Sequence, residues 1–518
     1  MISPVTPTEA PAHSPRRGLL LEATVFVVGM GTLGAEIAAA RLLAPWFGAS
    51  TIVWANTIAT VLVALSIGYA LGGRWADRHP TMAGLSRIVL IAAALLAVVP
   101  YVSDPFLRLS VTAFDRLSLG TFAGSLVGVS VLVAVPLLLL GMVSPYAVRL
   151  KLDRVSDTGK TAGRLSSIAT VGSLVGTFGA ALLLIPLVGT RRTFLIYALA
   201  LALVALPGLN RRWPGFVTVA VMAVLLVLPT GIVKVAAGRA VIEERETEYQ
   251  YARVLEDGSG TRTLELNEGQ AVHSVYRPGT YLTDLYYDEL VALPFASSGF
   301  MGARPRVAIL GNAAGTTARA IGHFAPATRI SGVEIDPVVT ALGREYFDMS
   351  APHLTTYADD ARPWLRKHRT RQDVIVIDAY RQPYIPFYLT TREFFSLVRD
   401  RLAPGGIVAV NVGHPVDSPD LEKALAATMR AVFGADRVFR DPAEPTNTML
   451  LATTTDEDPA QTLRSRTGLP ADLQATVTAT ADRLAPALRG GPVYTDDRAP
   501  VEWLVDLSLA DVARTGNR

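Results

Sequence analysis

The sequence predicts two fold classes in one chain of 518 residues: a multi-span α-helical membrane domain, then an α/β Rossmann-like domain opened by a small β-hairpin segment. Three observations carry this. Apolar runs fill the first 232 positions, several reaching the ~20 residues a helix needs to cross ~30 Å of hydrocarbon. From about residue 305, short β-rich runs alternate with stretches of helical spacing, as in a doubly wound parallel sheet. The charge also changes sign between the halves. Residues 1–234 hold 18 Lys/Arg and 8 Asp/Glu, and the remainder holds 30 and 37.

Composition narrows the class further. Half of the residues are hydrophobic, 18% are charged, and mean hydropathy is +0.34. An average soluble protein is about a quarter charged, so the composition argues against a wholly soluble or disordered chain. The basic half is also the apolar half, so its cations form no solvated stripe for nucleic acid. Without cysteine there is no disulfide, thiol nucleophile or zinc-thiolate site. The histidines are scattered and suggest no metal site.

The elements follow in order. Residues 1–18, rich in Pro, Thr and Ser, read as a disordered tail. The membrane domain is expected over 19–233, with apolar runs at 19–43, 52–71, 88–103, 122–145, 165–188, 194–209 and 213–232, or seven spans. With the N-terminus inside, twelve Lys/Arg fall in inner segments (from Arg16 and Arg17 to Arg211 and Arg212) against six outside. Seven spans then put everything after residue 232 outside the cytoplasm, as part of a multi-pass protein of the cell membrane. Residues 238–300 hold the hairpin segment and a linking helix, with turn signals at Asp257-Gly258 and Glu268-Gly269. The Rossmann-like core is expected over 301–455, with strands at Arg306–Leu310, Ile330–Ile335, Val374–Ile377 and Ile407–Val412. A peripheral helical segment, 456–518, closes the chain.

Four segments carry candidate chemistry. Strand Val307–Leu310 runs into small residues, Gly311 to Gly315, which either let a ligand approach the backbone or merely pack. About twenty residues on, Glu334 ends a strand, where a carboxylate can accept hydrogen bonds from ribose hydroxyls, and Asp336 reads as the next helix cap. Asp360, in Asp359-Asp360-Ala361-Arg362, is either another cap or a carboxylate beside an adenine edge. Asp378 leaves the C-terminal edge of a buried strand into a proline-broken loop, where it can take a proton from an ammonium group and expose an amine nucleophile. His414 follows the next strand as a catalytic, substrate-contacting or plain loop residue. Glu36 and Arg41, near a span end, read as a structural pair or a substrate contact.

With these residues in place, the C-terminal half resembles the spermidine synthase (polyamine aminopropyltransferase) family over roughly 248–455. The strongest stretch runs from Asp378 to Thr391-Arg392-Glu393-Phe394-Phe395, followed by Leu402-Ala403-Pro404-Gly405-Gly406. The whole chain resembles that family's membrane-fused branch through Glu36, Arg41, Gly48, Ser50, Gly68 and Gly72-Gly73-Arg74-Trp75-Ala76-Asp77, and Thr495–Pro500 resembles a closing motif of the branch. The resemblance implies a methyltransferase/spermidine synthase-type fold and decarboxylated S-adenosylmethionine as co-substrate, held by Gly311, Gly315, Glu334 and Asp360, with no metal. It places Gln270, Tyr287, Glu289, Tyr380 and His414 at the substrate and makes Asp378 catalytic. The chain departs from the pattern at Asn312, Ala313, Ala314, Asp288 (His in the family) and Arg381 (a second Asp).

Three functions remain open at this level. The first is a membrane-anchored aminopropyltransferase acting on a small-molecule amine. The second is an outward-facing enzyme that needs no adenosyl compound and acts on a peptide amine, such as a cyclase of N-terminal glutamine. The third is a transporter or sensor without catalysis. Membrane lipid is an expected partner, and self-association into a homodimer is left open.

Overall fold

A computed structural model describes residues 15–47, 51–117, 120–152, 158–227, 239–267, 271–380, 385–414, 418–502 and 504–505. The chain divides into two compact units, one of 1–43, 53–110 and 125–232, the other of 44–52, 111–124 and 233–518.

The first unit is helical: α1 (Pro15–Phe47), α2 (Thr51–Arg78), α3 (Met82–Leu117), α4 (Gly120–Gly141), α5 (Val143–Lys151), α6 (Thr158–Phe178), α7 (Ile185–Ala205) and α8 (Trp213–Val227). Leucine, valine and alanine dominate these helices, and many side chains face outward on both sides, including Leu62, Val63, Val131, Leu182 and Leu187. Such all-round apolarity suits hydrocarbon rather than water. Glycines let the helices touch: a Cβ on Gly172 or Gly176 would lie 2.1 or 2.0 Å from a carbonyl oxygen of α1.

Among the described residues, five helical stretches are long and apolar enough to cross a membrane, where the sequence suggests seven spans. The difference has a physical origin. Two expected spans lie in one continuous stretch, Thr158–Gly208, of 51 residues. Gly189 breaks it with φ 83° and ψ 166°, a conformation open to glycine. The Tyr197 hydroxyl donates to the Gly176 carbonyl at 2.7 Å. In a straight helix those residues would stand roughly 30 Å apart, so the stretch is folded back on itself. The last expected span, 213–232, shows a helix of 15 residues, Trp213–Val227.

The second unit opens with an antiparallel sheet, β1 (Ala240–Glu246), β2 (Tyr251–Glu256), β3 (Arg262–Leu266) and β4 (Ala271–Tyr276). It is a four-stranded meander rather than isolated hairpins. Asp257 shapes the β2–β3 turn by accepting from the Ser259 and Thr261 backbone N–H groups. The Glu268-Gly269 turn signal lies outside the described residues.

After α9 (Tyr287–Ala292) comes the main sheet: β5 (Arg306–Leu310), α10 (Thr316–Phe324), β6 (Arg329–Glu334), α11 (Pro337–Tyr346), β7 (Leu354–Ala358), α12 (Ala361–Lys367), β8 (Gln372–Ile377), α13 (Arg392–Arg401), β9 (Leu402–Gly413), α14 (Asp420–Phe433), β10 (Val438–Glu444) and β11 (Asn447–Thr453). Helices α15 (Pro459–Arg464) and α16 (Ala471–Arg483) and the short β12 (Ala485–Pro486) follow. The order across the sheet is β12-β10-β11-β9-β8-β5-β6-β7. Strands β5 to β9 are mutually parallel and β10 to β12 join antiparallel. Alternate residues feed apolar cores on both faces, Ala308, Leu310, Ile375 and Ile377 on one and Val307, Ile309, Val374 and Val376 on the other. Between β5 and β8 the connections leave in opposite directions. A crevice opens at the C-terminal ends of the strands at such a switch point.

Candidate active site

That crevice is a cleft of about 890 Å³, mouth included. Gly311, Ala313, Glu334, Asp360, Asp378 and Tyr380 line it, together with Tyr249, Gln250, His273 and Tyr388. The sequence-predicted carboxylates, separated by 44 positions in the chain, therefore face one space.

The loop after β5 is built by close approach. Gly311 has φ 90°, and a Cβ there would sit 2.4 Å from the Asp378 carbonyl oxygen. Gly315 has φ 88° and abuts Met349. Asn312, where the family pattern has glycine, turns inward: a Cβ on Gly332 would meet its carboxamide carbon at 2.8 Å, and its Nδ2 lies 3.2 Å from the Met349 sulfur. It is absent from the cleft lining. The substitution thus leaves the cleft open.

Glu334 ends β6, nearly buried. Its Oε2 accepts from Ala313 N–H and its Oε1 from Asp336 N–H, both at 3.0 Å. Burial pushes its carboxyl up to about 7, against those two hydrogen bonds. Each oxygen keeps acceptor capacity for a hydroxyl. Asp336 caps α11 by accepting from Val338 N–H and also takes the Thr247 hydroxyl at 2.6 Å. Asp360 is a helix cap that also reaches the cleft. Its Oδ1 caps α12 through Arg362 N–H, while its Oδ2 accepts from the Tyr388 hydroxyl at 2.7 Å beside the cleft.

Asp378 sits just past β8. Its Oδ1 accepts from Asn411 Nδ2 at 2.8 Å and its Oδ2 from the Tyr286 hydroxyl at 3.4 Å. Burial raises its carboxyl to about 6, with the Asn411 and Tyr286 hydrogen bonds opposing. A carboxylate so poised holds its proton more readily than a solvated one and is suited to accept it. Tyr380 donates to the Asn411 carbonyl at 3.0 Å and accepts from Gly413 N–H, fixing the loop at the end of β9.

Other expected residues stand elsewhere. The Tyr287 hydroxyl donates to the Val272 carbonyl at 2.9 Å, and it is Tyr286 that reaches Asp378. Glu289 pairs with Arg483 at 2.9 Å, which also holds the buried Asp441; burial raises Glu289 to about 7. Asp288 accepts from Thr283 and Asp284 backbone N–H groups and so shapes the preceding turn. His414 bonds Thr448 at 2.9 Å and is not in the cleft lining. Gln270, Arg381, Gly48 and Ser50 lie outside the described residues, while Glu36 and Arg41 lie on α1.

Sequence reasoning missed Tyr286, Asn411 and His273. Tyr286 was hidden by its twin, since adjacent tyrosines do not reveal which one faces inward. Asn411 left a signal: one amide inside an otherwise apolar strand must find a partner. His273 lines the cleft with Nε2 buried and unpartnered among the described residues, and burial lowers the ring to about 4. The closing motif is also engaged. Asp496 forms a two-pronged pair with Arg362 at 2.7 and 2.6 Å and takes the Thr391 hydroxyl.

Fold and cleft define an α/β domain with a mixed, mainly parallel sheet and carboxylates gathered at its switch point. Residues 284–454 match the spermine/spermidine synthase domain family. The chain is 34% identical over 294 residues to a probable polyamine aminopropyl transferase of Bifidobacterium longum, covering 52% of this chain and 64% of that relative. It thus spans just under two thirds of that relative's length. A polyamine aminopropyltransferase of Mycobacterium tuberculosis is 27% identical over 454 residues, 80% of this chain and 81% of the relative, an alignment too long for the second unit alone. A probable spermidine synthase structure from Corynebacterium glutamicum is 24% identical, with TM-score 0.38, covering 49% of this chain and 97% of that one.

Proposed function

We propose that the second unit is a transferase that activates an amine with Asp378 and moves an aminopropyl group to it from decarboxylated S-adenosylmethionine. The observation that carries this reading is the convergence of Glu334, Asp360 and Asp378 on one cleft. The family match and the aminopropyltransferase relatives support it. Asp378 takes a proton from the acceptor ammonium. The freed nitrogen lone pair forms a C–N bond to the methylene beside the sulfonium, the C–S bond breaks, and its electrons neutralise sulfur in the leaving methylthioadenosine. Glu334 and Asp360 are placed to orient the adenosyl group, and Tyr286 and Asn411 hold Asp378. Rate comes mainly from positioning and deprotonation. The first unit anchors the enzyme in a membrane, supported by its five long apolar stretches.

A second reading is motivated by α8, which starts beside the basic end of the first unit and runs away from it to residue 227. It keeps Asp378 as base but draws the electrophile from the substrate. The α-amine of an N-terminal glutamine attacks its own side-chain amide carbon, and ammonia leaves with the transferred proton.

Titration calorimetry of the purified chain with methylthioadenosine separates the two. Saturable binding, weakened roughly 10- to 150-fold by Glu334→Gln, is expected for the loss of a charge-assisted hydrogen bond. No heat at millimolar ligand, with an Asp378-dependent cyclisation retained, would replace the first reading by the second.

A further inference from the structure

The first unit holds a second large cleft that the reaction does not use. It measures about 4400 Å³, mouth included, and lies at one end of the helices. Its cations are Arg17, Arg74, Arg78, Arg87, Arg149 and Lys151, and its lining contains no Asp or Glu. Arg149 pairs with Asp77 and Lys151 with Glu22, both outside the lining. Among the described residues, Arg17, Arg74, Arg78 and Arg87 make no ion pair. Between the cations the walls are apolar and continue onto the exposed side chains of Leu71, Trp75 and Ile91.

The helix ends explain how the sequence assembles this site. Helix α1 starts there, α2 ends there, α3 starts, α5 ends, α6 contributes Thr161 from its first turn, and the segment Pro207–Asn210 after α7 returns. Cations scattered over 135 positions meet because each flanks the same end of a helix.

We propose that this cleft binds an anionic phospholipid, its phosphodiester headgroup between Arg74, Arg78 and Arg87 and its chains along Leu71, Trp75 and Ile91. The proposal rests on the membrane-anchored reading of this unit. Unopposed cations call for an anion. The apolar wall leading to outward-facing Leu71 and Ile91 calls for a hydrocarbon tail, which free phosphate lacks. Trp75 between the two regions has the place that tryptophan takes at membrane interfaces.

The test uses the full chain in a neutral detergent and a short-chain phosphatidylglycerol, followed by binding isotherms and by thermal melting. Saturable binding and a raised melting temperature are expected, with short-chain phosphatidylcholine and glycerol phosphate giving neither. Each cation near an anionic headgroup is worth about 1 kcal/mol, a factor of about five, so Arg74→Gln with Arg78→Gln should weaken binding roughly 25- to 30-fold. Arg211→Gln with Arg212→Gln removes two charges that flank the lining residue Asn210 without lining the cleft, and should weaken binding clearly less than the Arg74/Arg78 pair. Methylthioadenosine or amine-substrate binding by the second unit, read on each variant, reports whether the protein is folded. An equal loss in the Arg211/Arg212 variant, or an equal response to glycerol phosphate, overturns the lipid site. A chain that stays monodisperse in buffer without detergent overturns the membrane reading itself.

Discussion

Replacing Asp378 by Asn should stabilise the free protein while disabling it. The substitution keeps the local network. Asn411 Nδ2 still finds an amide oxygen to donate to, and the new amide NH₂ faces the Tyr286 hydroxyl, which can accept. What is lost is a carboxylate raised from 3.8 to about 6 by burial. The folded carboxyl therefore binds its proton more tightly than the unfolded one. Its favourable contribution is fully present below about pH 4 and is lost as pH rises through about 6. A shift of about two units, at 1.36 kcal/mol each, bounds the effect at about 3 kcal/mol. Denaturant melts of wild type and Asp378→Asn should coincide near pH 4 and separate by pH 8, with the variant more stable. Turnover, followed as release of methylthioadenosine, should fall about 10²- to 10⁴-fold. Full turnover by the variant, or a stability difference that does not change between pH 4 and 8, would refute the assignment of Asp378 as a buried base.

Tyr286→Phe removes a hydrogen bond that lowers the Asp378 carboxyl. The acidic limb of the kcat/KM profile should therefore move above pH 6, and an unmoved limb would detach Tyr286 from the base. Asp496→Ala frees Arg362, which also donates to the Tyr388 carbonyl at 3.0 Å. With Tyr388 and Asp360 less firmly held, KM for the adenosyl substrate should rise several-fold while kcat changes little, and stability should drop by about 1–3 kcal/mol.

The parallel sheet was legible because strands buried on both faces read as continuous Val/Ile/Leu runs, and Val307–Leu310 and Val374–Ile377 fell where the structure has β5 and β8. Glu334, Asp360 and Asp378 were legible because each ends a strand or follows it by one or two residues, at the edge where such folds open. The orientation of side chains within the loops was not. Asn312 read as a lost glycine, yet it fills space over Gly332 that only the three-dimensional approach of β6 reveals. Glu289 read as a substrate contact because its partner, Arg483, lies almost two hundred residues away on α16. The break at Gly189 was legible, because the expected runs 165–188 and 194–209 end and begin on either side of it. What the sequence did not show is that one glycine dihedral makes the turn within an otherwise continuous helical stretch.

The order of helix ends in the first unit leads to an expected sidedness for the second, which bears directly on the chemistry. Starting at the basic end, α1 leaves, α2 returns, α3 leaves, α4 and α5 return, α6 leaves to the fold at Gly189, and α7 returns to Pro207–Asn210. Helix α8 then leaves again. Its 15 residues cover roughly 22 Å, short of the ~30 Å of a bilayer core, and the apolar run continues in sequence to residue 232. The positive-inside bias predicts that the basic end faces the cytoplasm. Seven passes would then place residue 233 onward on the outer face, the arrangement expected from the sequence. A phosphatase reporter active only outside the cytoplasm, fused after Arg518, should be active, and a reporter that fluoresces only in the cytoplasm should stay dark. The reverse pattern would mean that α8 does not cross, returning the cleft to the compartment in which adenosyl compounds are made. An active outer reporter instead requires either an adenosyl donor on the outer face or an electrophile carried by the substrate itself, and methylthioadenosine titration then identifies which of these Asp378 serves.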